Sequence, residues 1–305
     1  MTSQPTAQGT RLAPADSGLI RAGAASWTWL SQLATRKPMG FFGLMVLVIV
    51  ALAAVFAPFI TPYHFATTDF GARLLGPSAE HWFGTDNLGR DLFSRVIYGA
   101  RVSLGISFAA VVLAKTLATA VAVYTGYYGG WTDKIGQRFV DIWIALPRLI
   151  ILVTLLGLLG PSALSLVVLV GLTNAPSSAR LIRSVVVGVR AEPYVEAARS
   201  LGATDKRIIF QYILPNIMHI VIYSATVTLG AVILIIASLG FLGYGVPPPA
   251  PDLGAMLSGA GLTFMRRNPW MALWPGLTIT LVVFAFNVLG DALRDVLDPR
   301  MRGSR

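Results

Sequence analysis

The chain has 305 residues, of which 55% are hydrophobic and 12% charged. A water-soluble domain of this size carries about 25% charged residues, so the composition excludes one and indicates a multi-pass membrane protein. Cysteine is absent, which excludes disulfides, thiolate metal sites and cysteine nucleophiles, and His64, His81 and His219 stand at no metal-ligand spacing. The net charge is +10, yet the basic residues gather at the ends of apolar runs, a pattern set by membrane orientation rather than by nucleic acid.

Residues 1–38 are rich in Thr, Ser, Gln, Pro, Gly and Ala and read as a flexible cytoplasmic tail, with a short interfacial helix near Trp27–Leu30. Residues 39–61 form the first span. Its apolar core, Met39 to Ile60, exceeds the 7–15 residues of a signal-peptide core and is long enough to cross a bilayer, so it reads as a retained helix that ends at Pro62. Residues 62–101 are polar and turn-rich and read as an extracytoplasmic loop with an interfacial helix. There Leu92, Phe93, Val96, Ile97 and Ala100 share one face, with Arg90 and Arg95 off it.

Residues 102–300 read as the membrane core, and 301–305 as a short C-terminal tail. The second span, Val102 to about Tyr124, carries Lys115 near its middle, where a charge is costly and faces a cavity or a partner. Gly126–Trp131 reads as an interfacial turn, and Asp133, Lys134 and Arg138 as a charged loop. The third span, Phe139 to about Leu159, places Asp141 and Arg148 seven apart and so on one helical face. Gly160–Ser162 is a turn. The fourth span, Ala163 to about Arg183, is the weakest, because Asn174–Ser178 interrupts it around Pro176. The fifth, Ile217 to about Phe241, holds Ser224, Thr226, Thr228 and Ser238, which either line a wet path or bond back to their own helix. The sixth, Ala272 to about Leu289, contains Asn287. Lys115, Arg148, Ser224, Thr228 and Asn287 are the candidate lining of a polar path between the spans, where Lys115 or Arg148 would attract a carboxylate.

Glu192–Pro215 is polar although it lies between strongly apolar runs. Val195, Ala198 and Leu201, then Ile208, Ile209 and Tyr212, recur at helical spacing. Gly202 suits a left-handed helix end, Thr204 a cap for the next helix, and Leu214-Pro215 a close. The segment predicts a helix–turn–helix elbow in water whose apolar ridge needs a partner.

Charge asymmetry orients the chain. If the N-terminal tail, 127–138, 180–215 and the C-terminus share the cytosol, they hold 16 of the 24 basic residues, against six on the other side. No phosphate-binding Gly-x-x-x-x-Gly-Lys-[Ser/Thr], zinc-protease His-Glu-x-x-His or Gly-x-Ser-x-Gly elbow occurs, and acidic relay residues within spans are nearly absent. Energy for transport must then come from another chain. An ion-coupled secondary transporter and a membrane scaffold that only recruits a cytosolic protein remain the rivals from other classes.

Residue identities add a resemblance. Glu196-Ala197-Ala198, Gly202 and Leu214-Pro215 resemble the EAA loop by which ABC-importer permeases dock on their ATPase subunits, with Tyr212 in place of a usual isoleucine. Phe83–Asp86, Gly89–Asp91, Tyr98–Arg101, the Gly126–Trp131 turn and the closing Gly290–Arg300 resemble the C-type permease of dipeptide and oligopeptide importers. Ile236 stands where that family commonly has glutamate, and Leu253 where it has tryptophan.

The resemblance implies an all-α membrane protein with six transmembrane helices and the type I ABC-importer permease fold. Residues 192–215 would form its cytoplasmic coupling loop. Glu196, Ala197, Ala198, Gly202, Ala203, Leu214 and Pro215 would couple to the ATPase. It further implies a bacterial inner-membrane location with both termini cytoplasmic. The partners would be a second, homologous permease, two ATPase subunits and an extracytoplasmic solute-binding protein. The substrate would be a di- or oligopeptide, with nickel or glutathione as alternatives. The chain would need no cofactor and do no covalent chemistry, ATP and magnesium belonging to the ATPase subunits.

Overall fold

A computed structural model describes residues 37–297. The expected N-terminal tail and its interfacial helix, and the closing Asp298–Arg300, lie outside them. The described residues form helices: α1 Pro38–Val55, α2 Leu92–Tyr128, α3 Gly130–Ala145, α4 Arg148–Leu159, α5 Ala163–Arg190, α6 Pro193–Ser200, α7 Asp205–Phe241, α8 Leu253–Leu257 and α9 Trp270–Leu297, with a few single turns between them. Five of these, α1, α2, α5, α7 and α9, are long and apolar enough to cross a membrane, and α3 with α4, bent by 83°, is together long and apolar enough for a sixth.

The centre of the fold is α2 against α5. In lipid there is no hydrophobic drive between helices, so association depends on close van der Waals contact, which small residues permit. On α2 the buried Ala110, Ala114, Ala118 and Ala122 recur every fourth residue and so form one stripe. Gly126 extends it, and a methyl group added there would meet Val186 Cγ1 at 2.8 Å. On α5, Gly171 answers in kind: a methyl group there would lie 2.8 Å from Leu113 Cδ2 and 3.1 Å from the Ala110 carbonyl. Two apolar clusters flank this seam. One joins Leu152, Leu156, Leu166, Val170, Ile236 and Leu239, and the other joins Val186, Val195, Ile208, Ile213 and Ile217.

α1 lies against α9, with Gly43 close to the Ala285 carbonyl, and most of its remaining surface is exposed. Lys37 at its start bonds Asp295 near the end of α9 at 2.6 Å, so the first and last spans run antiparallel.

The structure corrects several sequence-based boundaries. The interfacial helix before the second span is not separate: α2 runs unbroken for 37 residues, from Leu92 through Tyr128. Arg95 is not off the packed face but 7% exposed. Its guanidinium donates to the Phe65 carbonyl at 3.2 Å and lies 3.6 Å from Asp86. The expected charged loop at 127–138 is mostly helix, because Gly129 and Gly130, with φ of +66° and +60°, turn the chain at once into α3. The third span is not continuous. Pro147 disfavours a helical conformation at Leu146, whose ψ is 135°, and α4 restarts at Arg148. Asp141 and Arg148 therefore do not share a face: Asp141 pairs with Arg180, while Arg148 turns to Asn174. In contrast, Asn174–Ser178 does not interrupt α5, which continues through Pro176 to Arg190. Asn174 and Thr173 satisfy their own polar groups on carbonyls one turn back, so the segment stays helical.

On the side opposite the elbow, residues 62–91 fold into a packed cap. Asp91 caps α2 by accepting from the Ser94 amide at 2.8 Å and the Ser94 hydroxyl at 2.7 Å, and its other oxygen lies 3.0 Å from His81 Nδ1. Phe83 stacks on Trp274 with centroids 4.0 Å apart, and Asn268 donates to the Thr85 carbonyl at 3.0 Å. Leu253 and Ile236, the two departures from the peptide-permease pattern, are 3% and 1% exposed, so both serve packing. Asp91→Ala is expected to cost about 1–3 kcal/mol, because it strands buried donors. Thermal unfolding in detergent checks this against Asp69→Ala, which removes an exposed turn contact and should change little.

Candidate coupling elbow and intramembrane chamber

The elbow forms as its residue types dictate. Pro193 starts α6 at a position where no amide partner is lost. After Ser200 the chain reverses at Gly202, whose φ is +83°. The Ala203 amide donates to the Ala198 carbonyl and the Gly202 amide to the Arg199 carbonyl, each at 3.0 Å, which is the bond pattern of a glycine-terminated helix end. Thr204 then caps α7 by accepting from the Arg207 amide at 3.4 Å. Within α7, Ile208–Ile213 makes one π-helical stretch before the α-helix resumes at Leu214. Leu214-Pro215 does not close the element as the sequence reading had it. Pro215 stands near the start of a new α-helical segment, where its missing amide is tolerated, and the helix runs on.

Most of the apolar ridge has its partner within the chain. Val195, Ile208 and Ile213 are buried in one cluster with Tyr127, Val186 and Ile217, and Ala198 is buried as well, because the glycine turn folds α6 back on its neighbours. Leu201, 89% exposed, and Phe210, 66% exposed, are what remains outside. Glu196 and Ala197 face outward, whereas Ala198 faces the core. Ala203 packs on the same cluster, Leu214 is half-buried and Pro215 is exposed. Burial, with Glu192 nearby, pushes the Tyr194 hydroxyl above its usual value, so this ring stays neutral at the surface.

One clamp was not legible in the sequence. The Tyr127 hydroxyl, at the end of α2, donates to Asp205 at 2.6 Å, and the Arg199 guanidinium sits 5.8 Å over the Tyr127 ring. A tyrosine in an aromatic run gives no sign of a partner 78 residues away. Nearby, Asp133 of α3 pairs with Arg183 of α5, so these contacts join α2, α6 and α7 in one group and α3 and α5 in another beside it.

Within the membrane region, Lys115, Arg148, Ser224 and Thr228 line one cavity of about 280 Å³ together with Asn174 and Ser178. Lys115 is 6% exposed and its Nζ donates to Ser178 Oγ at 2.8 Å. Arg148 Nη1 donates to Asn174 Oδ1 at 2.9 Å, and Asn174 is held in that orientation by donating to the Val170 carbonyl at 2.7 Å. Ser224 and Thr228 do bond back to their own helix, to the Val221 and Ser224 carbonyls at 3.0 and 2.6 Å. Both still face the cavity. Asn287 does not join them: it donates to the Val283 carbonyl at 2.9 Å on α9, next to Gly230. Asn174, Ser177 and Ser178, read in the sequence as a break in a span, are the lining that sequence reasoning missed.

Tyr127→Phe is expected to release the elbow, removing a hydrogen bond to a charged group, a kind worth about 1.5–3 kcal/mol. Hydrogen exchange of residues 193–207 should rise about tenfold or more, while exchange in the core of α2 stays unchanged.

A family model described as binding-protein-dependent transport system inner membrane component matches residues 118–303, and one described as the N-terminal TM domain of oligopeptide transport permease C matches residues 35–77. The dipeptide transport system permease protein DppC of Alkalihalophilus pseudofirmus is 42% identical over 276 residues, 90% of each chain. The glutathione transport system permease protein GsiD of Escherichia coli O1:K1 is 37% identical over 269 residues, 88% of each chain. Among solved structures, the inward-facing MetNI methionine ABC transporter shares the fold, with a TM-score of 0.56 at 18% identity over 68% of this chain and 98% of that one. The chain belongs to the binding-protein-dependent transport system inner membrane components and is a multi-pass inner-membrane permease of an ABC importer.

Proposed function

We propose that this permease forms half of the path for di- or oligopeptides and is driven through its elbow by ATPase subunits. The observation that carries the reading is the packed elbow with Leu201 89% exposed at its turn. A leucine held so far from its own core is set to fill a groove on another protein. Glu196 and Ala197 present the outward face of α6, Gly202 and Ala203 make the turn, and Leu214 and Pro215 lead the motion into α7. Ala198 supports the elbow from within. Two ATPase subunits closing on ATP and magnesium would push this lever and tilt the spans.

The remaining partners in this reading are a second, homologous permease supplying the other half of the path, and an extracytoplasmic solute-binding protein delivering substrate. Both termini face the cytosol, a reading supported by the bias of basic residues and by the Lys37–Asp295 pair that sets the first and last spans antiparallel. The peptide assignment rests on the 42% identity to a dipeptide-system permease. Glutathione is the second reading, favoured by the 37% identical relatives, and is itself a small peptide-like anion. Lys115, Arg148, Ser224 and Thr228 line the candidate path, and the permease itself does no covalent chemistry.

The test uses the complex purified through this chain with its co-expressed genomic neighbours. ATPase subunits should co-purify, and binding protein with peptide should stimulate hydrolysis. Leu201→Glu should leave the melting temperature unchanged but cut stimulation by about tenfold or more, a loss of about 1.4 kcal/mol or more at the docking site. If no ATPase subunit associates with the wild-type chain and uptake instead collapses with an ion gradient, an ion-coupled transporter replaces this reading.

A further inference from the structure

In the sequence the two intramembrane cations lie on different spans, the second and the third. The bend between α3 and α4 brings Arg148 to the chamber that Lys115 enters from α2. Their acceptors, Asn174 and Ser178, are four residues apart on α5 and so occupy adjacent turns of one face, about 5–6 Å apart at Cβ. Both acceptors are neutral. Among the described residues no carboxylate lines this chamber or the adjoining cavity of about 440 Å³, which shares Arg148 and Ser177. The ion pairs formed among the described residues all use other cations.

Two cationic side chains therefore line one cavity with no carboxylate among its described lining residues, in spans where charge is costly. The start of α4 adds to them. Arg148 is its first residue, Pro147 before it provides no side-chain cap, and Leu149 lines the adjoining cavity. Its free amides carry partial positive charge of the same sign. Snorkelling does not account for Lys115, whose ammonium points inward to Ser178 rather than along the helix to the interface.

We infer that the chamber formed by Lys115, Arg148, Asn174 and Ser178 is a carboxylate-selecting site that engages the free α-carboxylate of a passing substrate. The planar guanidinium of Arg148 suits two-point pairing with a carboxylate, and Lys115 supplies a point charge beside it. The neutral hydroxyl and amide keep both heads positioned without quenching their charge. This inference rests on the reading that the chamber lies on the translocation path. A carboxylate supplied by the second permease is the competing arrangement.

Because this chain has no cysteine, Ser177→Cys places a single thiol of this subunit at the chamber. The full complex, its other subunits freed of cysteine, is labelled with an anionic sulfonatoethyl or a cationic trimethylammonioethyl methanethiosulfonate. Both reagents need the same thiolate, so their rate ratio, normalised to a free thiol, reports local potential alone. The anionic reagent is expected to win by about tenfold or more, since focused charge enriches counter-ions by that order. Adding Lys115→Met and Arg148→Gln should bring the ratio near one, while Arg148→Lys should keep most of it. Equal rates in the parent overturn the inference and identify a neutralising carboxylate from the partner, and no labelling by either reagent overturns it as well. A second arm compares uptake of a dipeptide and its C-terminal amide, wild type against the double variant, with one binding protein serving both. The carboxylate form should lose its advantage only in the variant. An unchanged ratio sinks the site and leaves the importer intact. Absent peptide uptake with the anionic labelling preference retained sinks the peptide reading and leaves the site.

Discussion

The close seam between α2 and α5 is the constraint on which the other features hang. Lipid offers apolar side chains nothing less than a neighbouring helix does, so a pair of spans must gain from contact distance rather than from hydrophobicity. The four buried alanines and Gly126 on α2, with Gly171 on α5, supply that distance. Lys115 lies immediately beside this seam and reaches Ser178 across it. Arg183 and Val186, on the same stretch of α5, hold α3 and Gly126. A larger residue in the stripe would therefore displace the chamber and the elbow together.

The length of α2 gives this seam a reach beyond the bilayer. Its 37 residues span about 55 Å at the usual rise, more than the roughly 30 Å of the hydrocarbon core. One end is capped by Asp91 inside the buried His81–Ser94 network, and the other carries Tyr127 into the Asp205 and Arg199 contacts. A single continuous helix thus touches the cap of residues 62–91, the charged chamber and the elbow. That is a physical route by which displacement at the elbow reaches the other side, with no need for a chain of flexible contacts.

The chamber shows a local rule broken where function is expected. An arginine at the first position of a helix opposes the helix dipole, and a lysine in mid-span opposes the membrane. Neutral partners hold both instead of the carboxylates that would relieve them. Elsewhere the chain follows the rules closely: Asp91, Ser162, Thr204 and Asp252 each cap a helix with the expected side-chain acceptor. The contrast marks the chamber as the place where stability has been conceded.

Much of this was legible in the sequence, for physical reasons that are local. Hydropathy over some twenty residues located the spans, because crossing the bilayer is a property of one segment. The glycine and threonine of the elbow announced its turn, because left-handed backbone and capping need those residue types within a few positions of each other. The lone charges Lys115 and Arg148 were visible as costs. What the sequence could not determine depended on partners far along the chain. Two prolines of similar local character, Pro147 and Pro176, had opposite outcomes: the first bends the chain by 83°, and the second is carried through within α5. Whether Ser224, Thr228 and Asn287 face one cavity depended on how α7 and α9 rotate, and Asn287 turned elsewhere. Charge, caps and span length are written residue by residue, but the meeting of two cations over one face of α5 exists only once four helices have packed.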